Sequence, residues 1–153
     1  MASSDVSADV EVISCAACGT ANRVPRAKLA QGLRPRCGRC HAPLLGDKHP
    51  VTVTDASFAT IVAASPIPVL LDMWAPWCGP CRAVGPIVEQ LAAELAGRIR
   101  VGKVNVDDNR QIAARFAVRS IPTLLILRGG QEIDRIVGAV PKPEIMRHLE
   151  AVL

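Results

Sequence analysis

The chain has 153 residues, half of them apolar and 21% charged, with a formal net charge of +4 at pH 7. That length admits one ordinary domain, alone or beside a small module, and excludes large multidomain machinery; the apolar content excludes a disordered chain. Only Phe58, Trp74, Trp77 and Phe116 are aromatic, so a core has to be built from Val, Ile, Leu and Ala, and the two tryptophans stand three positions apart.

The basic excess lies early. Residues 1–50 carry seven Lys and Arg against four Asp and Glu, whereas residues 51–153 carry eleven against ten. Met1 to Ser14 hold Asp5, Asp9 and Glu11 with no basic residue or apolar run, so no secretory leader is visible, and residues 1–14 read as a flexible extension. The longest uncharged stretch, Ala56 to Leu71, is broken by Pro66 and Pro68 and falls short of the ~18 residues that span a bilayer. The chain reads as cytoplasmic. In a reducing compartment, cysteines at short fixed spacings point to metal binding or catalysis rather than to structural disulfides, and all six here fall into Cys-x-x-Cys pairs.

Residues 15–49 hold the first two pairs, Cys15/Cys18 and Cys37/Cys40, separated by eighteen residues, the spacing of a four-cysteine zinc ribbon. Each pair can form a tight knuckle, with Gly19 and Gly38 supplying turns, and two knuckles complete a tetrahedron around one structural zinc ion. A segment of ~35 residues needs such a staple. Zinc binding contributes on the order of 10 to 16 kcal/mol at neutral pH. The competing reading, two redox dithiols, is weaker because neither pair opens an amphipathic helix that would lower a thiol pKa. Four cysteines close the shell, which leaves His41 as a surface residue. The intervening Arg and Lys residues suit a solvated face better than a nucleic-acid site, since no aromatic from Cys15 to His49 can stack on bases.

From residue 51 the periodicity alternates between strand and helix. Val51 to Val53 is a predicted strand, and Asp55 or Ser57 caps a helix to about Ala64. Pro68 to Ala75 is an apolar strand, and Gly79 to about Ala96 a helix that Pro86 should kink. Arg100 to Val106 is a strand, Asp108 or Asn109 caps a helix to Ala117, and Thr123 to Leu127 is a strand. Gly129-Gly130 turns into Glu132 to Val137, and Lys142 to Val152 is a terminal helix. This order predicts an α/β domain over residues 51–153, a mixed sheet with helices on both faces and an antiparallel hairpin near one edge.

The third pair, in Trp77-Cys78-Gly79-Pro80-Cys81, follows an apolar strand and opens a long helix. By itself Cys-x-x-Cys leaves zinc, disulfide and redox roles open; the strand-to-helix position favours redox. A thiol at a helix N-terminus meets unpaired N–H groups and the positive end of the helix dipole, which favours the thiolate. Cys78 is therefore the expected nucleophile and Cys81, one turn later, the resolving thiol. Asp72 interrupts the preceding strand, and periodicity leaves it open between a solvent-facing residue and a buried carboxylate.

Residues 51–153 resemble the thioredoxin family through Asp72-Met73-Trp74-Ala75-Pro76-Trp77-Cys78-Gly79-Pro80-Cys81, Lys103-Val104-Asn105-Val106-Asp107, Ser120-Ile121-Pro122-Thr123 and Val137-Gly138-Ala139. The whole chain resembles the bacterial branch that carries a zinc ribbon before the redox domain. Met73 departs from the usual Phe, and the N-terminus is longer than usual. The resemblance implies a thioredoxin fold with a five-stranded sheet, and a protein-disulfide reductase in which Asp72 is a buried proton acceptor for Cys81 and Lys103 tunes it. It also implies a cis Ile121-Pro122 bond beside the dithiol and a substrate surface formed by Trp77, Gly79, Pro80, Ile121, Pro122, Gly138 and Ala139. The implied partners of the monomer are disulfide-bearing proteins and a thioredoxin reductase that passes on electrons from NADPH. The chain itself has no Gly-x-Gly-x-x-Gly loop for a nucleotide. The main rival is a zinc-ribbon interaction or holdase module with the redox domain as a scaffold; a second is an oxidant or isomerase on the same fold.

Overall fold

The computed structural model describes residues 10–15, 17–31, 33–45 and 48–153. Strands β1 (Val10–Ser14) and β2 (Ala21–Pro25) form an antiparallel hairpin, and β2 runs into the single helical turn α1 (Arg26–Ala30). The expectation of a flexible extension over residues 1–14 is thus corrected in part: Val10–Ser14 belong to the ribbon, because their pairing with Ala21–Pro25 buries Ile13 against Val24. Residues 1–9 lie outside the described residues. The ribbon also has a small apolar cluster, Ile13, Cys15, Val24, Cys37, Leu44 and Leu45, which the reading of a metal staple without a core did not foresee.

The second unit is a five-stranded mixed sheet in the order β3-β5-β4-β6-β7. Its strands are β3 (Val51–Thr52), β4 (Val69–Trp74), β5 (Arg100–Asn105), β6 (Thr123–Arg128) and β7 (Gln131–Val137). β3, β5 and β4 are parallel, and β6 and β7 run antiparallel to their neighbours, as the sequence predicts for the final hairpin. Helices cover both faces: α2 (Cys81–Glu94) and α4 (Lys142–Glu150) on one, α3 (Arg110–Arg115) and a π-helical turn (Ala59–Ala63) on the other. β4 alternates between them, with Leu70 packed under α2 and α4 and Leu71 and Met73 on the opposite side. Met73 is fully buried there, so its departure from Phe is a matter of core packing.

Several elements are shorter than periodicity suggests. The stretch from Asp55 to Ala64 yields only a turn and the five-residue π-helix, and the reason is that Asp55 serves another element. Its carboxylate accepts the N–H groups of Ile112 (2.9 Å) and Gln111 (3.3 Å), satisfying amides in the first turn of α3. Asn109, expected to cap α3 itself, accepts the Asp55 N–H instead (3.0 Å) and donates to the Asn105 carbonyl (3.0 Å). The cap is reciprocal and spans 54 residues of sequence.

The ribbon meets the sheet at one end. Arg100, the first residue of β5, is buried and donates to the carbonyls of Ile61 (3.0 Å) and of Leu44 in the ribbon, while its Nε has no partner among the described residues. Burial lowers its pKa. Ile67, just before β4, packs on the ribbon cluster. Both contacts stand at the N-terminal ends of the central parallel strands.

Asp55→Ala is expected to destabilise the fold by about 1–2 kcal/mol, the usual cost of losing a helix cap. Urea denaturation measures it, and Asp55→Asn, which keeps an acceptor, should lose less.

Candidate functional site

β4 ends at Trp74 and the chain turns sharply, with the Cys78 N–H bonded to the Ala75 carbonyl at 3.1 Å. Gly79 and Pro80 continue the turn, and α2 begins at Cys81 rather than at Gly79, with Pro80 in the cap position. Cys78 and Cys81 form a disulfide with their Cα atoms 5.4 Å apart. The Cys81 N–H, at the start of α2, donates to Cys78 Sγ at 3.2 Å. A sulfur with negative charge at this position meets the positive end of a fourteen-residue helix. Both half-cystines are buried in the oxidised form, packed with Ala75, Trp74, Val106 and Ile121.

Asp72 lies two residues before Trp74, at 1% exposure, which settles the choice that periodicity left open. It pairs across the sheet with Lys103 on β5 and Leu124 on β6. Its Oδ1 has no hydrogen-bond partner among the described residues. Burial pushes the carboxyl from 3.8 up to about 6, with the nearby Lys103 ammonium opposing the rise. Asp72, Trp74, Cys78, Cys81 and Lys103 line one cavity of about 230 Å³, so the titratable carboxyl and both sulfurs share a solvent-sized space. Lys103 Nζ stands 5.3 Å from the centre of the Trp74 ring.

On the other side of the dithiol, Ile121 touches the buried cluster, the Ile121-Pro122 bond is cis, and Pro122 is buried. The Gly138 N–H donates to the Pro122 carbonyl at 2.9 Å, and Gly138 has φ +95°, which favours glycine. Gly79, Pro80 and Ala139 are exposed, and Trp77 projects at 69% exposure, a large apolar surface beside the sulfurs.

Two residues of this region have contacts that the sequence does not signal as such. Asp107 accepts the Trp77 Nε1–H at 3.0 Å and so orients the ring from 30 residues away; no local spacing signals that bond. Arg82 lines the Asp72 cavity, and its place directly after Cys81 was the available signal.

The other four cysteines converge in the ribbon. The sulfurs of Cys15, Cys18, Cys37 and Cys40 all lie within 4.8 Å of one another, with Cys15–Cys40 at 3.5 Å and Cys18–Cys37 at 3.6 Å. A tetrahedron with metal–sulfur bonds of about 2.3 Å has edges of about 3.8 Å, so the set fits one ion. The two knuckles are built alike: the Gly19 N–H bonds the Cys15 carbonyl and the His41 N–H bonds the Cys37 carbonyl, at 2.8 and 2.9 Å. Gly19 has φ +79° and the equivalent position in the second knuckle is His41, at φ +63°. That corrects the assignment of a second turn glycine to Gly38, whose N–H instead donates to Asn22 Oδ1 at 2.9 Å. His41 is exposed and outside the sulfur cluster.

The Cys40 N–H, followed by the Arg39 N–H and Asn22, brings the Cys37 thiol down to about 6, and Thr20 lowers that of Cys18. Cys40 goes the other way, to about 11: the Ala42 N–H lowers it, but the Cys15 sulfur, burial and the other two sulfurs outweigh that bond. Thiolates this close repel one another, and a dication among them would offset that repulsion.

Comparison with known proteins gives two family matches along the chain. Residues 49–151 match the thioredoxin family model, and residues 14–42 match a family described as "Thioredoxin 2, N-terminal", a zinc ribbon. Thioredoxin 1 of Nostoc sp. (strain PCC 7120) is 53% identical over 98 residues, 64% of this chain and 92% of that protein. Thioredoxin of Haemophilus influenzae is 50% identical over 93 residues, 61% of this chain and 87% of its own. Thioredoxin C-3 of Corynebacterium nephridii is 39% identical over 142 residues, 93% and 95% of the two chains. The ribbon is a metal-binding module by its sulfur geometry and its family match, and no helix of the described residues is long and apolar enough to cross a membrane. With a Cys78/Cys81 redox pair at the head of α2 and a matching family model over two-thirds of its length, the chain belongs to the thioredoxin family of thiol–disulfide oxidoreductases.

Proposed function

We propose that the protein is a reductase for protein disulfides, working through the roles that follow. The observation that carries the reading is the pairing of a sulfur at a helix N-terminus with a buried carboxyl on one shared cavity. The Cys78 thiolate attacks one sulfur of a substrate disulfide, forming a mixed disulfide and releasing the other as a thiolate. Asp72 takes the proton of Cys81, whose thiolate attacks Cys78 Sγ. The second substrate sulfur leaves, and two electrons have passed from the dithiol to the substrate. An acceptor titrating near 6 suits a proton that must leave a thiol at neutral pH, and Lys103, opposite it, stabilises the ionised form.

Trp77, Gly79 and Pro80 offer the exposed surface against which a substrate chain can lie, with Gly138 and Ala139 on the Pro122 side. The Ile121 backbone would pair with that chain in an extended conformation, as in strand addition. Electrons return from NADPH through a thioredoxin reductase, as the family implies. Cys15, Cys18, Cys37 and Cys40 would hold one zinc ion, since sulfur ligands in a tetrahedron suit it and the ion fixes the ribbon. The domains divide as ribbon to residue 49 and redox unit from residue 51, working as a monomer. A cytoplasmic, reducing compartment suits a ribbon that depends on four thiolates.

Cys78→Ser is expected to abolish NADPH-coupled reduction of insulin disulfides while leaving the zinc content at one ion per chain. Retained biological activity of that variant would favour the interaction-module reading, and a measured potential well above that of thioredoxins would favour an oxidant.

Asp72 gives a pH prediction. Its folded pKa lies above 3.8, so the folded state holds the proton longer than the unfolded chain, and stability falls as pH rises from about 4 to about 6. The gap corresponds to about 3 kcal/mol. Asp72→Asn should therefore unfold at higher urea concentration than the parent at pH 8, with the difference closing near pH 4, and its mixed disulfide should resolve slowly.

A further inference from the structure

We propose that the ribbon carries a second docking site: a basic groove that takes an acidic, aliphatic-containing segment of the partner protein whose disulfide reaches Cys78. The groove, of about 540 Å³, is lined by Arg23, Val24, Lys28, Leu33, Arg34 and Arg36 among others. All four cations are exposed, and the side chains of Arg23, Lys28 and Arg34 make no ion pair or hydrogen bond with any described residue. Arg36 donates only to the neutral carbonyl of His41, at 3.1 Å. Among the described residues no acidic side chain lines the groove, and Glu11 is engaged by Arg26 at 3.0 Å. Four unneutralised positive charges around one concavity focus a field that draws carboxylates. Leu33, 49% exposed beside buried Val24, supplies an apolar wall that an aliphatic side chain would cover.

A protein segment fits this chemistry better than nucleic acid. Residues 10–49 contain no aromatic side chain on which bases could stack. The apolar wall next to the charges is wasted on a phosphate backbone, whereas a chain of Glu or Asp with an interposed Leu or Val satisfies both parts.

The position of the ribbon explains what such a site adds. Arg100 and Ile67 fasten it to the N-terminal ends of β5 and β4, while the dithiol follows the C-terminal end of β4. A six-residue strand is about 20 Å long, so the groove and Cys78 engage separate parts of one partner. The groove then acts as a tether that raises the local concentration of the substrate disulfide without touching the exchange chemistry. The identity of the partner as a disulfide substrate rests on the function proposed above; binding to the groove does not.

The test is fluorescence anisotropy on the full-length, zinc-loaded protein, with a labelled peptide of glutamates interspersed with leucines. Saturable binding is expected, weakened about tenfold or more in Arg23→Glu/Lys28→Glu/Arg34→Glu and by raising salt from about 50 to 500 mM. A peptide with lysine in place of glutamate should not bind. For an acidic disulfide-bearing protein, the variant should raise KM and leave kcat unchanged, while reduction of a small neutral disulfide proceeds at the parent rate. That last assay reports the dithiol alone, so its failure in the parent counts against the reductase reading and not against the groove. No saturable binding by the parent protein, equal binding by the charge-reversed one, or tighter binding of a single-stranded oligonucleotide overturns the proposal. Should the triple variant lose its zinc, the single exchanges to Gln are read by the same measurements.

Discussion

Asp72 sits in the middle of a strand buried on both faces, with one carboxylate oxygen lacking any partner among the described residues, and the sheet around it has to be stiff enough to keep it there. A carboxyl whose pKa is raised to about 6 disfavours folding at neutral pH by about 3 kcal/mol. Burial of large aliphatic side chains contributes about 1.5–3 kcal/mol each, so a few neighbours offset it. Leu70, Leu71, Leu124 and Leu125, all fully buried around Asp72, are placed to do so. The fold thus tolerates a group that a stability criterion alone would replace. What it obtains in exchange is a titratable carboxyl held out of bulk water on the cavity that both sulfurs line.

The two units are stabilised by different physics. The redox unit has aliphatic clusters on both faces of its sheet, whereas the ribbon has six buried residues among those described, two of them cysteines of the sulfur cluster. A cluster of that size adds to a metal staple without replacing it. Leu44 and Leu45 explain why the ribbon still rests firmly on the sheet: both are buried, and the Leu44 carbonyl receives the Arg100 guanidinium. Removing the ribbon would uncover Ile67 and take the Leu44 acceptor from the buried Arg100 guanidinium, so the ribbon belongs to the folded unit rather than being carried beside it.

Much of this was legible in the amino-acid sequence, for a physical reason. Elements whose residues answer to their immediate neighbours could be read: the apolar strand β4, the long helix that follows the third cysteine pair, the Gly129-Gly130 hairpin, and the cysteine pairs, whose chemistry depends on spacing. What could not be read is set by contacts distant in sequence. Asp55 looks like the cap of its own helix and caps α3 instead, because the fold brings the Ile112 N–H to 2.9 Å from it. Asp107 holds Trp77 across 30 residues. Asp72 could not be sorted into core or surface by alternation, since β4 is buried on both faces and period two then carries no information about solvent. In the ribbon, Gly38 looked like the turn residue because glycine is the usual occupant of a left-handed position, yet His41 fills it.

The way the ribbon is fastened also limits what its metal can do to the dithiol. Arg100 is three residues before Lys103 on β5, and Lys103 pairs with Asp72, so a path from Leu44 to the Asp72 carboxyl exists along one strand. That strand, however, is paired on both sides, with β3 at Gly102 and Lys103 and with β4 along its whole length. A strand held in this way resists the shift that would carry a change at Arg100 to Lys103. Disturbing the ribbon therefore falls mainly on the buried guanidinium, whose lost acceptor is a stability term, and only weakly on the environment of Asp72. On the function and docking site proposed above, the ribbon would influence the reaction through what it binds, at the end of the sheet away from the sulfurs.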